Sequence, residues 1–147
     1  MITVRDAKTS DAWPIGAILA AFQHQADWMP VLYSQTEASG YCMEMISRGW
    51  VRVAERFGVV LGFIAVDGEE VCALYVSEPV RGKGIGRALI RDAMHKQTGL
   101  WLRVHHVNCD ARLFYKALGF DEHPSVAQPR NDEGLPELMC TWSKDPA

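Results

Sequence analysis

Leu74-Tyr75-Val76-Ser77-Glu78-Pro79-Val80-Arg81-Gly82-Lys83-Gly84-Ile85-Gly86-Arg87-Ala88-Leu89 runs from an apolar strand into a loop with three glycines and on into a helix. Glycine lets the backbone approach a ligand closely, and the unpaired N–H groups at a helix start attract anions. Arg81, Lys83 and Arg87 add positive charge. The segment therefore predicts a phosphate or pyrophosphate ligand. The Walker pattern GxxxxGK[ST] is absent, because Lys83 precedes Gly84 and Gly86 and no Ser or Thr follows it. The Rossmann pattern GxGxxG also fails: Gly82, Gly84 and Gly86 are spaced GxGxG, deep in the chain. A tight strand-to-helix turn that binds nothing is the plain alternative.

Outward from this loop, the periodicity extends in both directions. Ile85, Leu89 and Ala93 align on a predicted helix over 85–96, as do Ile90 and Met94, opposite Arg87, Arg91 and His95. A strand over 100–104 follows. Ala111, Phe114, Tyr115 and Leu118 make the i, i+3, i+4, i+7 stripe of a further helix, with Gly119 as its stop. Strands over 120–123 and 138–142 end the pattern, separated by a polar, proline-containing loop. Upstream, strands over 50–55, 59–66 and 70–76 flank turns at Gly58 and Asp67-Gly68. Before them come a strand over 2–5, a helix over 12–23 capped by Ser10 or Asp11, and a helix over 36–47. Asp27-Trp28-Met29-Pro30 breaks the helical pair and puts large apolar groups on a loop. The order predicts one α/β domain over 1–147 with a mixed sheet.

Composition narrows the function. The chain has 147 residues, 48% of them hydrophobic and 22% charged, a globular balance. A formal charge of -3 speaks against nucleic-acid binding. No run of about 18 apolar residues suggests a membrane span, and the N-terminus does not read as a signal peptide. Cys42, Cys72, Cys109 and Cys140 form no CxxC pair, which predicts reduced thiols in a cytoplasm rather than a zinc site or disulfides. Cys72 and Cys140 lie in apolar runs and are expected in the core.

Arg81-x-x-Gly84-x-Gly86 resembles the Q/R-x-x-G-x-G/A signature of the GNAT superfamily of N-acetyltransferases, whose loop grips the coenzyme A pyrophosphate. Leu74-Tyr75-Val76-x-x-Pro79 is similar to the preceding family strand, which pairs with the pantetheine arm. Asn108 and Ala111-x-x-Phe114-Tyr115-x-x-x-Gly119-Phe120 resemble the next family segment. The resemblance implies a single GNAT-like domain whose twisted mixed sheet splays between the strands ending at Val76 and Val104. It implies acetyl-CoA as cosubstrate, with no metal and no cysteine nucleophile. Leu74, Tyr75, Val76, Arg81, Gly82, Lys83, Gly84, Ile85, Gly86, Arg87, Asn108 and Tyr115 are the implied cofactor contacts. The acceptor implied is a primary amine, a small molecule being slightly favoured over a protein N-terminus or lysine. Related domains often dimerise, so a homodimer is open.

Roles follow from the same resemblance. Tyr115 matches a tyrosine that protonates the departing thiolate, a task suited to a phenol with an ordinary pKa near 10; otherwise it belongs to the buried stripe. Asn108 either bonds the pantetheine arm or caps its helix. An alkylammonium is neutral only about once in 2,500 at pH 7, a penalty of roughly 4.6 kcal/mol, so a base is required. Glu70 resembles the catalytic glutamate of the family's histone acetyltransferases, and strict alternation would set it on one face with Cys72, Leu74 and Val76. The plain alternative is a solvated carboxylate beside Glu69. His105 and His106 rank below it. Trp28, Met29 and Tyr33 are acceptor-pocket candidates, with the loop over 124–136 and its Arg130, Asp132 and Glu133; core packing and a solvated loop are the alternatives. Two other classes are a catalytically weak acetyl-CoA sensor or partner subunit, and an unrelated nucleotide-binding protein.

Overall fold

The structure, a computed structural model, describes residues 1–123 and 133–145. The elements are β1 (Thr3–Asp6), α1 (Ala12–Gln25), α2 (Gln35–Ser47), β2 (Val51–Arg56), β3 (Val59–Asp67) and β4 (Glu70–Val76). They continue as α3 (Ile85–Lys96), β5 (Gly99–His105), α4 (Cys109–Ala117), β6 (Asp121–His123) and β7 (Glu137–Ser143). The strands form one sheet in the order β1-β2-β3-β4-β5-β7-β6. Every neighbouring pair is antiparallel except β4 and β5. The expected mixed α/β sheet is therefore present. No helix among the described residues is long and apolar enough to cross a membrane.

Local chemistry explains the boundaries. Between β2 and β3 the two turn residues, Phe57 and Gly58, both have positive φ, at 52° and 77°. That is the handedness a two-residue hairpin needs. Ser34 opens α2 with a capping box: its hydroxyl accepts from Glu37 N–H at 3.1 Å, and the Glu37 carboxylate accepts from Ser34 N–H at 3.1 Å. At the start of α1, the Arg5 guanidinium donates to Asp11 at 2.8 and 3.1 Å and to Glu55 at 3.1 Å, joining β1, β2 and the helix.

Each face of the sheet carries its own core. Ile64, Val71, Leu100, Leu102 and Val104 pack with Ile85, Leu89 and Tyr115 beneath α3 and α4. Val53, Phe63, Ala65 and Ala73 pack with Ile15, Cys42 and Met45 beneath α1 and α2. Cys140 is buried as expected, whereas Cys72 is half-buried. Burial pushes the Cys72 thiol up to about 11.

β4 departs from simple alternation. Val66 pairs with Val71, but Ala65 pairs with Ala73, which leaves Cys72 as an extra residue. Such a bulge flips the side-chain parity and bends the strand. Val71 therefore shares the α3/α4 core with Leu74 and Val76, and Glu70 falls on the opposite face, with Ala73 and Tyr75. This corrects the expectation that Glu70 shares a face with Leu74 and Val76.

β4 and β5 meet at a single register pair, Glu70 with Trp101, where Trp101 N–H donates to Glu69 C=O at 2.9 Å. β5 then stays with β7 from Gly99 to His105, while the bulged β4 follows β3. The sheet splits between them, as the resemblance implied.

Candidate active site

The glycine loop forms the mouth of the split. Residues 78–80 make a 3-10 turn after β4, and Gly84 caps α3 in the left-handed region at φ 86°, with Gly82 at φ 77°. A Cβ on either glycine would meet nothing within 4 Å, so backbone conformation, not space, demands glycine here. No side chain among the described residues caps α3. Its first N–H groups, on Ile85, Gly86 and Arg87, thus face outward at the positive end of the helix dipole. Lys83 and Arg87 are exposed beside them and form no ion pair among the described residues.

Arg81 behaves differently from its neighbours. Its Nε donates to Val76 C=O at 3.1 Å, its Nη2 donates to Gln25 Oε1, and its guanidinium carbon lies 5.9 Å from the Phe22 ring centre. The side chain ties the loop to β4 and α1. The side chains of Lys83 and Arg87 are exposed at the mouth.

The split exposes backbone groups of β4. Ser77 N–H donates to Leu61 C=O on the β3 side at 2.8 Å. Antiparallel alternation then turns the N–H and C=O groups of Val76 and Leu74 toward β5, where no strand pairs with them. Arg81 occupies the Val76 carbonyl, a group that sheet pairing would otherwise claim. Tyr75 points its backbone at β3, and what it offers the site is its ring.

Across the gap, Asn108 caps α4, its side-chain oxygen accepting from Ala111 N–H at 3.2 Å. Its amide N–H groups form no bond among the described residues. Tyr115 is 9% exposed, with Phe114 and Phe120 packed edge-on at 5.1 and 5.4 Å. Burial, then the neighbouring Tyr75 and Cys140, holds its phenol well above the ordinary range. The phenol is therefore protonated at neutral pH. Its hydroxyl forms no hydrogen bond among the described residues.

The opposite, α1/α2 face of the split is polar. Leu100, Leu102 and Val104 are buried beneath α3 and α4, so Trp101, Arg103 and His105 lie on the face that also holds Glu70 and Tyr75. His105 Nε2 stands 2.9 Å from Glu133 Oε1, the two side chains 16% and 14% exposed. The Trp28 ring lies 5.2 Å from that of His105, and Phe22 bridges Trp28 and Tyr75 at 6.0 and 5.3 Å. The loop between α1 and α2 thus roofs the split. Gln23, 3% exposed, holds that loop: its Oε1 accepts from Leu32 and Tyr33 N–H at 2.7 and 3.0 Å, and its Nε2 donates to Tyr33 C=O at 3.0 Å.

The structure thus gathers Leu74, Tyr75, Val76, the residues 81–87, Asn108 and Tyr115 around the split, with Glu70 at its closed end. His106 is exposed and faces away from this cluster in its bonding: its N–H donates to Pro136 C=O, and its C=O accepts from Arg112. Met29 and Tyr33 are half-buried in the loop that carries Trp28. Arg130 and Asp132 lie outside the described residues. Sequence reasoning missed Gln23 and Gln25, which on α1 look like ordinary surface polar residues. It also missed that Glu133 and His105, 28 positions apart, meet.

Comparison with known proteins agrees with this geometry. Residues 47–122 match the family described as the Acetyltransferase (GNAT) domain. The chain is 39% identical over 71 residues to the peptidyl-lysine N-acetyltransferase YjaB of Escherichia coli. That match spans about half the length of this curated relative, 48% of either chain. The solved apo structure of Escherichia coli YjaB nonetheless superposes over 97% of both chains, with a TM-score of 0.76 and 22% identity. The 5-NmdU N-acetyltransferase of Pseudomonas phage PaMx11 is 31% identical over 129 residues, 82% of this chain and 87% of that one. A phosphinothricin acetyltransferase from Sinorhizobium meliloti, solved in complex with acetyl-CoA, has a TM-score of 0.75 and 20% identity over 97% of this chain and 88% of its own. The chain belongs to the GNAT acetyltransferase family.

Proposed function

We propose that this protein is an N-acetyltransferase that moves the acetyl group of acetyl-CoA to a primary amine by direct attack. The observation that carries the reading is the split itself. β4 and β5 pair once and diverge, and an uncapped helix start with two left-handed glycines sits at the open end. An extended amide-bearing arm ending in a pyrophosphate fits both parts: the Leu74 groups and the Val76 N–H for the arm, the α3 N–H groups with Lys83 and Arg87 for the phosphates. The amide of Asn108 adds a donor across the gap.

In this reading the neutral amine attacks the thioester carbonyl, whose oxygen becomes an oxyanion near the free β4 N–H groups. The carbon–sulfur bond breaks, and the Tyr115 hydroxyl donates its proton to the thiolate. The surplus proton on the new amide nitrogen replaces the one Tyr115 gave. Glu70 and His105 share the face from which an amine can approach. The named activities of the relatives, on lysine side chains and on a modified base, support an amine acceptor without choosing one.

The test is an acetyl-CoA consumption screen over alkylamines, amino acids, peptides and nucleosides, run beside thermal melts. At 100 times its Kd, acetyl-CoA adds about 2.7 kcal/mol of apparent stability, and ATP or NAD adds far less. A larger melting shift with either nucleotide overturns the cofactor assignment. Binding without turnover on any amine moves the reading to a sensor or partner module.

A further inference from the structure

Resting on the acetyltransferase reading, we propose that His105, held by Glu133, is the general base for a protonated primary alkylamine on the α1/α2 face of the split. Four observations converge on it. The first is position. With the bulged Cys72 discounted, Tyr75 lies level with His105 on the same face of the split. Glu70 sits where the strands still pair, roughly 10 Å of strand away from the free Leu74 N–H.

The second is the tautomer. A carboxylate only accepts, so the neutral imidazole carries its hydrogen on Nε2, pointed at Glu133. Nδ1 then keeps its lone pair, and it bonds nothing among the described residues. The carboxylate fixes the ring's orientation, and Nδ1 is the atom that can take a proton.

The third is enclosure. Burial, then the Glu133 charge, pushes the Tyr75 hydroxyl up to about 12, and Glu133 itself meets His105 at 2.9 Å. Trp28 covers it from the α1–α2 loop. A ring face can meet a cation, and partial burial strengthens that cation's interaction with a carboxylate.

The fourth is charge. Around His105 stand Glu133 before β7, Glu137 as its register partner on β7, Tyr75 on β4, and exposed Asp27 beside Trp28. The one cation on this face of β5 is Arg103, whose guanidinium carbon lies 5.5 Å from the Trp101 ring centre. A slender alkylammonium suits such a surface. An anionic or flat aromatic amine does not.

The step balances. The ammonium N–H bond breaks and the proton goes to His105 Nδ1. The freed lone pair forms the C–N bond as the C–S bond breaks. His105 returns its proton to solvent, so one ammonium and one thioester give one amide, one thiol and one proton.

The parent protein, His105→Gln and Glu133→Gln are compared with n-butylamine as the probe. Acetyl-CoA affinity by calorimetry should agree within threefold across all three. At pH 7, kcat of His105→Gln should fall by about 10²–10⁴, and the defect should shrink toward pH 10 as the amine arrives neutral. Glu133→Gln should show a smaller loss of the same pH form, and it keeps the test open if His105→Gln does not fold. A wild-type rate and pH profile in both variants overturns the assignment and leaves the acetyltransferase reading standing. Turnover of aniline in preference to n-butylamine overturns the acceptor class. If the parent acetylates no amine, the acetyltransferase reading falls, and imidazole NMR decides the site: n-butylammonium must shift the His105 resonances, and unshifted resonances sink it.

Discussion

A Cβ placed on Gly86 would stand 3.4 Å from the ring edge of Phe114 and 3.6 Å from a Val76 methyl, so α3 meets α4 and β4 at this glycine. Gly86 and Gly84 therefore serve different ends. Gly86→Ala should change stability by no more than about 1 kcal/mol, because helix propensity offsets the contact. Gly86→Val should cost about 1–3 kcal/mol through overpacking. Gly84→Ala has open space, but its left-handed backbone should cost about 1–2 kcal/mol and weaken acetyl-CoA binding more than Gly86→Ala does. Urea melts and calorimetry separate the three. Equal acetyl-CoA affinity in all of them would reduce the loop to a turn.

Tyr115→Phe removes one hydroxyl and preserves the ring contacts with Phe114 and Phe120. No described partner is left unpaired, so the melting temperature should hold or rise slightly. On any amine that the parent acetylates, kcat should fall by about 10²–10⁴ with acetyl-CoA affinity nearly unchanged. An unimpaired variant would return Tyr115 to a packing role.

Gln23→Ala removes the buried side-chain acceptor that the Leu32 and Tyr33 N–H groups share. It should cost about 1–3 kcal/mol. Because the same loop seats Trp28 over His105, the amine KM should rise while acetyl-CoA affinity holds. A variant with parental stability and KM would show that the loop does not depend on this clamp.

Asp11 is held below the usual carboxylate range, first by the Arg5 guanidinium, then by Lys8 N–H. A carboxylate with a depressed folded pKa contributes stability above its unfolded pKa of about 4, and loses it as pH falls through the folded value. Asp11→Asn should therefore destabilise at pH 7 and converge with the parent near pH 2. The paired Asp6 and Glu122, also depressed, leave a smaller acid limb in the variant. Denaturation midpoints at pH 7, 4 and 2 check this. A gap that stays constant with pH would mean that the Asp11 charge is not what Arg5 requires.

β4 and α3 were readable to the residue, over 70–76 and 85–96, because Gly68 and Gly84 punctuate the chain where left-handed backbone is needed. The split was readable only through the resemblance, since nothing in the β5 pattern shows which neighbour it keeps. That β7 lies between β5 and β6 was hidden for the same reason: strand order is a tertiary choice. Cys72 gave no sign of the bulge, because a small half-buried thiol suits either face. Gln23 and Glu133 act through partners reached only after folding.

The surplus residue in β4 bears on how roles pass between relatives. A gapless alignment over this strand would equate the early positions of β4 with residues that, in an unbulged relative, look into the opposite chamber. Counting by sequence, Glu70 inherits a neighbour's duty; counting by pleat, it changes sides. Deleting Cys72 would exchange the parity of Glu70 and Val71, placing a carboxylate beneath α3 and a valine toward the amine. One residue of strand length therefore acts as an address, deciding which of two substrates a side chain can meet.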